Sequence, residues 1–572
     1  MEFGYIAVAG IVILVGVAAL SKRFGVAAPI ALVLVGVGLS YLPGVPLIEV
    51  PHEWVLDGVL PPILYAAAIS VPMIDFRRNL GTIASLSVAL VVVTAFAVGF
   101  LLFAMLPDLN LAAAIALGAI ISPPDAVAAT SIGRRLGLPP RILTVLEGEG
   151  LVNDATALVL LRSAVAAAAG GVLSPWAIGA DFLYAVVVAI VVGLVAGMVT
   201  VYVRSKLSDS VLDTAISIAV PFIAFMPAEA LHASGVLAVV VAGLYTGHVA
   251  PRRLSPQARI SDGINWRTIQ FLLESAVFLV IGLELRTLLE HVDPTVLTVG
   301  ASIGIGLIAV LALIVLRFAW IGPMVLSLKW RSQRAEKSTL RLRLALDQSP
   351  ERKTALRGER RKRAKRIYAI RRADLEHGRS ERIDWRGGVV LGWSGMRGVV
   401  TLAAAQSLPE DTPYRSQLIL IAFTVAVVTL VGQGGTLPAL IRVLKIRGAD
   451  DVEDTRELAK LLDELSYAGL VVLEDTSEIV GHPVDPDIIE RVRQSSFLRA
   501  EAAWERARES VSDPNENPNR TYRELRLAVI AAERSKLLGA RRSGTYPSRI
   551  LARAEGLLDA EETRLRPATA GH

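Results

Sequence analysis

Glu147, Glu149, Asn153 and Asp154 fall within eight residues of the run EGEGLVNDATALVL, which is otherwise apolar enough for the middle of a bilayer. Charge at the centre of a spanning helix costs at least about 2.5 kcal/mol, so a carboxylate there marks an ion or proton path. An ionised carboxylate offers oxygens to a cation, and the same group can take up a proton. Asp154 lies about 12 residues into a helix that begins near Ile142. That places it roughly 18 Å deep at 1.5 Å per residue, near the midplane of a hydrocarbon core about 30 Å thick. It is the candidate for lining an ion or proton path. Asn153 beside it can lend an amide oxygen but cannot titrate. Glu149 shares a helix face with Asn153 and reads instead as half of a structural ion pair. Arg317, in ALIVLRFAWIGP, has no other charge near it in sequence and needs a carboxylate; Glu149 is the best-placed partner.

A second unusual stretch is Ser122-Pro123-Pro124-Asp125 in the middle of LAAAIALGAIISPPDAVAATSIGRR. Two successive prolines remove two N–H donors and disfavour helix just before them, so the helix should break. Asp125 then opens the second half-helix, where free N–H groups and the positive dipole end favour a carboxylate. GVVLGWSGMRGVVTLAAAQS carries Arg397 among Gly392, Gly395 and Gly398, residues that weaken a helix. Arg397 is suited to the carbonyl end of a broken helix. Broken helices with charge at the break are how transporters place ions at the midplane.

The elements that must hold these residues are membrane spans. Of the 572 residues 53% are hydrophobic and only 20% charged, against about 25% charged in a soluble domain. Apolar runs long enough to span recur to about Leu444, about thirteen in all, including 110–130, 142–168, 266–288, 295–327 and 387–407. The expected fold is an all-α polytopic membrane protein, its transmembrane part covering 1–447. Spans 1–6 and 8–13 would be inverted six-helix repeats joined by span seven, with the broken helices crossing at their interface. Loops such as DFRRN, GRRLGLPPR and APRRLSPQARISD alternate with neutral or acidic ones such as LPDLN and EHVDP. The positive-inside rule then puts the N-terminus outside and the C-terminus in the cytoplasm, and an odd span count agrees.

The segment 329–386 holds 20 Lys/Arg against 8 Asp/Glu, whereas the whole chain is only +6. On a cytoplasmic loop such charge favours anionic lipid headgroups over nucleic acid. Residues 448–572 show amphipathic helical spacing in RELAKLLDELSYAGLVVLE and RELRLAVIAAERSKLLGA, a soluble helical tail that is regulatory or a packing element. Cysteine is absent, which excludes disulfides and thiolate metal sites. No phosphate-binding, zinc or ATPase motif is evident, so the expectation is gradient-driven transport without cofactor or enzymatic turnover. His232 and Ser234 are two apart and do not face each other on a helix. Tyr245 and His248 suit the membrane interface, and Glu229 and Asp213 are either pore-lining or structural.

Jointly, LPPILYAAAISVPMIDFRRNLGTI, SPPDAVAAT, EGEGLVND, ASGVLAVVVAGL and GMRGVV resemble the successive motifs of the sodium/proton exchanger branch of the cation/proton antiporters, over residues 1–445. The resemblance implies a homodimer of thirteen-helix subunits in the bacterial plasma membrane, each with a dimerisation domain and a core domain that moves like an elevator. It implies that Asp154 binds the ion and exchanges the proton with Asn153 beside it. Asp125 and Arg397 would stabilise the helix crossing, and Glu149 would pair with Arg317. The chain departs from the family pattern at Pro124, often Thr, at Gly150, often Ser, and at Ala66, often acidic. Water, Ser122 or backbone carbonyls would then supply the missing oxygens, which leaves sodium against potassium open. The competing classes are an ion channel or membrane sensor gated through the loop and tail, and an intramembrane aspartyl protease using Asp125 with Asp154. A channel needs a continuous polar lining and a protease needs carboxylates sharing a proton; one compact site with an Asn-Asp pair suits antiport better.

Overall fold

Out of water a backbone must satisfy its own hydrogen bonds, and an apolar run does so as a helix. The computed structural model describes residues 2–24, 26–43, 50–168, 175–347, 383–446, 451–471, 484–509, 518–543 and 548–565, with the single positions 363, 368, 448 and 473. The regular elements among these residues are helices. The first are α1 (Glu2–Phe24), α2 (Ala28–Ser40), α3 (Trp54–Ser70) and α4 (Met73–Met105). The first broken rod follows as α5 (Leu111–Ile121) and α6 (Ala126–Arg135), then α7 (Pro140–Ala168). Next come α8 (Pro175–Arg204), α9 (Ser210–Ala230), α10 (Gly235–Arg253), α11 (Pro256–Glu290) and α12 (Val299–Asp347). The second broken rod is α13 (Trp385–Trp393) and α14 (Val399–Gln406), followed by α15 (Arg415–Leu444). Among the described residues eight helical stretches are long and apolar enough to cross a membrane, and the chain is a multi-pass membrane protein.

One boundary differs from the sequence expectation. The eleventh apolar run ends near residue 327, yet α12 continues to Asp347. The added residues, KWRSQRAEKSTLRLRLALD, are rich in good helix formers, so the helix has no reason to stop where hydropathy does. The basic segment 329–386 therefore begins as helix. Most of the remainder, where lipid contact was expected, lies outside the described residues.

The chain divides into two compact units, Met1–Ile446 and Arg447–His572. Within the second, α16 (Asp451–Val471), α17 (Pro486–Glu509), α18 (Pro518–Ser543) and α19 (Ser548–Leu565) are amphipathic helices. Arg526 forks onto Glu561 at 2.7 and 2.8 Å, and Arg534 reaches Asp559 and Glu562 at 2.6 and 2.7 Å, so ion pairs join α18 to α19.

The membrane unit has two main apolar clusters. One joins α2, α4 to α7 and α11 to α15 through residues such as Leu32, Leu86, Leu117, Phe278 and Ile421. The other joins α3 and α8 to α10 through Tyr65, Ala189, Phe225 and Val239, with Leu151 of α7 and Trp266 of α11 against them. Small residues allow the closest crossings. A Cβ on Gly36 of α2 would meet the Leu279 carbonyl of α11, and one on Gly282 would lie 2.8 Å from the Gly36 Cα.

The second cluster is also tied by charge. Arg204, at the end of α8 and 1% exposed, donates to both Asp213 oxygens at 2.9 and 2.7 Å and to Asp262 at 2.6 Å. One guanidinium thereby joins α8, α9 and α11, and the structure resolves Asp213 as structural rather than pore-lining. Glu229 is tied likewise, to Arg162 at 2.6 Å and the Gly235 amide at 3.0 Å. Removing one partner of a buried pair costs about 3–5 kcal/mol because the other charge is stranded. Arg204→Ala strands two carboxylates and is expected to lower the thermal unfolding midpoint of the purified protein sharply. An unchanged midpoint would show that the three groups do not hold these helices.

Candidate functional site

The two broken rods meet at their breaks. α5 stops at Ile121 because Pro123 and Pro124 cannot continue its ladder, and α13 stops at Trp393 ahead of Gly395 and Gly398. Each break strands backbone carbonyls on one side and N–H groups on the other. The chain supplies partners for both from side chains at and beside the breaks.

Arg397, 2% exposed, serves the carbonyls. Its Nε donates to Ile121 O at 2.9 Å and its Nη2 to Ser122 O at 3.2 Å, both at the C-terminal end of α5, while Nη1 donates to the Gly395 carbonyl. Asp125 serves the amides. Its Oδ1 accepts from Val127 N at 2.8 Å as the N-cap of α6. Its Oδ2 abuts Gly398, the residue that opens α14, so closely that any Cβ there would collide with the carboxylate. Asp125 thus lies between two helix N-termini, where negative charge is favoured. The backbones join directly as well, with Asp125 N donating to Met396 O at 2.6 Å.

Glu149 and Arg317 come together beneath this crossing. Arg317 Nη1 and Nη2 donate to Glu149 Oε1 and Oε2 at 2.6 and 2.8 Å, a fork in which both side chains are nearly fully buried. The remaining Nε donates to Leu391 O at 3.0 Å, so Arg317 also caps α13.

Asp154 has a different setting. It borders a cavity of about 610 Å³ shared with Asp125, Thr130, Thr401, Gln270 and Glu274. The cavity also reaches Arg134, Glu147, Arg259 and Arg267. At this end Arg134 pairs with Glu147 at 2.5 Å.

Two expected ligands lie elsewhere. Asn153 is fully buried; its Nδ2 donates to Pro124 O at 2.5 Å and its Oδ1 accepts from Asp154 N at 2.7 Å. It therefore pins the break from α7, and in this conformation its amide oxygen is engaged away from the cavity. Ser122 is not among the cavity-lining residues, and its hydroxyl donates to Ala119 O at 3.1 Å. The family departures acquire reasons here. A Cβ on Gly150 would lie 2.6 Å from that of Ala126, so this helix contact leaves no room for Ser. Ala66 is a buried methyl on the cavity wall.

Glu274 was missed from the sequence. Its signal was present: one carboxylate in QFLLESAVFLVIG, the same kind of isolated charge that singled out Arg317. Gln270, one turn earlier, donates to it at 2.7 Å. His232 is not helical at all; it stands in a turn with φ 55°, and Ser234 caps α10 by accepting from Leu237 N at 3.2 Å.

Known proteins resemble this chain over most of its length. The sodium/hydrogen exchanger transmembrane family model matches residues 9–443. An uncharacterized Na(+)/H(+) exchanger of Mycobacterium tuberculosis is 28% identical over 99% of this chain and 97% of its own. A sodium, potassium, lithium and rubidium/H(+) antiporter of Bacillus subtilis is 27% identical over 75% of this chain and 60% of its own. The structure of a sodium proton antiporter from Methanocaldococcus jannaschii superposes with a TM-score of 0.54 at 16% identity, covering 78% of this chain and 98% of that one, and so shares the fold. With the family model spanning nearly all the membrane helices and both breaks inside it, the chain belongs to the sodium/hydrogen exchanger family.

Proposed function

We propose that this protein is a secondary antiporter that exchanges Na+ or K+ for H+ at Asp154 and sits in the bacterial plasma membrane as a homodimer. Antiport of a cation against protons follows from the family and from relatives named as Na+/H+ exchangers and antiporters. Neither supports the channel alternative. The observation that carries the site assignment is a contrast between carboxylates. Glu149 is neutralised by a fork from Arg317 and Asp125 is spent on helix N-termini, whereas Asp154 borders the cavity and forms no ion pair among the described residues. It is the group free to hold a cation in one crossing and a proton in the other.

The cavity's Arg134 and Arg259 belong to the runs GRRLGLPPR and APRRLSPQARISD with basic excess, which supports an inward-open state with the C-terminus cytoplasmic. The inverted repeats place their two breaks at the crossing, and the core they form moves relative to the dimerisation domain. Glu274 adds a carboxylate to the wall of the cavity that Ala66 also lines. The relative named for sodium, potassium, lithium and rubidium suggests that more than one alkali ion fits here.

Two variants separate chemistry from support. Asp154→Asn is expected to fold with a near wild-type unfolding midpoint and to lose cation-driven proton flux in proteoliposomes; flux near wild type would remove Asp154 from its role. Glu149→Ala, which strands Arg317, is expected to cost about 3–5 kcal/mol and to show as loss of yield or unfolding midpoint. A stable Glu149→Ala protein would mean that the fork holds nothing.

Stoichiometry gives a further expectation. If Asp154 alone titrates, one cation replaces one proton, and the moving domain carries equal charge in both crossings. With no net charge moved, the reversal point of exchange should ignore voltage, although each unit of net charge moved would feel about 2.3 kcal/mol per 100 mV. Proteoliposomes with a valinomycin-clamped potential and sodium as the transported cation test this. A sodium gradient at zero net flux that shifts with voltage means a second charge moves, and Glu274 becomes its first suspect.

A further inference from the structure

Away from its Arg134 and Arg259 end, the cavity follows α3 back to Val55, α11 as far as Phe278 and α14 as far as Thr401. At this limit Val55, Val277 and Ala403, one from each of the three helices, form a buried apolar cluster of their own. Val50, Leu56 and Val59 pack against it. Such a layer offers a cation nothing in place of its water, so it acts as a seal.

Beyond the layer the same three segments meet again through polar groups. Glu284 of α11 is 4% exposed. Its Oε1 accepts from Val50 N, ahead of α3, at 3.1 Å, and its Oε2 accepts from Gln406 Nε2 at 3.2 Å. Gln406 is the last residue of α14. Arg415, which opens α15, donates to the Gln406 carbonyl at 2.8 Å and to that of Leu408 at 2.9 Å. Further along α15, Thr429 Oγ1 accepts from Arg397 N at 2.9 Å, which joins α15 to the second break. The end of α14 is thus fastened to the crossed rods, while the Gln406 side chain reaches across to α11.

The order is the same on all three segments: cavity, apolar layer, polar tie. We infer that Glu284 is the latch of an outer gate, holding α14 against α11 and the start of α3 while the cavity is open to the cytoplasm. This rests on the inward-open reading above and on the crossed rods moving as one body. A carboxylate suits the task, because protein donors satisfy it when the gate is closed and water satisfies it when the gate opens. Hydrogen bonds exchanged for water in this way have a modest net worth, so the latch biases the equilibrium without locking it. Glu284 is not among the cavity-lining residues and is a positioning residue, separate from the exchange at Asp154.

The test reads accessibility rather than transport. The chain contains no cysteine, so one introduced thiol reports alone. Val277→Cys places it in the apolar layer, and Ser131→Cys places it at an exposed position lining the cavity. Labelling by a membrane-impermeant maleimide is followed in right-side-out and inverted vesicles. With the latch intact, position 277 should label slowly from outside and position 131 only from the cytoplasmic side. Glu284→Ala and Gln406→Glu should each speed outside labelling at position 277 about tenfold, as expected for losing a charged hydrogen bond from the closed state. The pair Glu284→Gln/Gln406→Glu exchanges acceptor and donor and keeps an oxygen for Val50 N. It should return the rate toward that of wild type, which damaged folding would not do. Glu290→Ala removes an exposed acid paired with Arg286 on the same helix and should leave the rate unchanged. Wild-type rates at position 277 in both single variants, or an exchanged pair as fast as they are, would overturn the latch. Labelling of position 131 from outside in the otherwise unchanged chain would instead overturn the inward-open reading, and with it the side assigned to the gate.

Discussion

The membrane unit depends on satisfying four broken helix ends out of water. Breaking two rods inside apolar surroundings strands carbonyls and amides that solvent cannot reach. Arg397 meets the carbonyls of α5 from the other rod, and Asp125 meets the amides of α6 while abutting the start of α14. Each rod therefore completes the other. That reciprocity fixes where the breaks lie, which residues beside them must be glycine, and where the cavity forms. Gly398 follows directly, since a side chain there would occupy the space of the Asp125 carboxylate.

Charge is then distributed so that one acid remains uncommitted. Arg317 both neutralises Glu149 and caps α13, so it belongs to the crossing as much as to the pair. Asn153, adjacent in sequence to Asp154, bridges α7 to the break at Pro124. Asp154 is thereby carried on a helix pinned to the crossing, while its own carboxylate stays at the cavity. This geometry suits a group that must change its occupant without unfolding its supports.

Besides Asp125 and Asp154, the cavity has a carboxylate from α11, where Gln270 steadies Glu274 one helical turn away. Along α11 the residues Asp262, Trp266, Gln270 and Glu274 recur every four positions and all face the cavity, so one helix supplies a polar track along it. At the far end of that track the Arg204 cluster joins α11 to α8 and α9.

Much of this was legible in the chain because a bilayer leaves few choices. Apolar run length dictated spanning helices, Pro123-Pro124 dictated a break, and isolated charges at 149, 154, 317 and 397 stood out because apolar surroundings make each of them costly. What sequence could not carry was direction. Whether Asn153 turned its oxygen to an ion or to its own backbone, and whether Ser122 faced the cavity, depended on rotations of a few ångströms set by neighbouring helices. Glu274 lay in plain view as a lone acid, yet its meaning required α11 to pack beside the broken rods, over a hundred residues away in the chain. Asp213 waited in the same way on Arg204 and Asp262. Residue type and spacing determine which groups must find partners, since burial makes solitude costly. Only the packed helices decide which partner each one finds, because hydrogen bonds and ion pairs are settled by distances that distant segments set together.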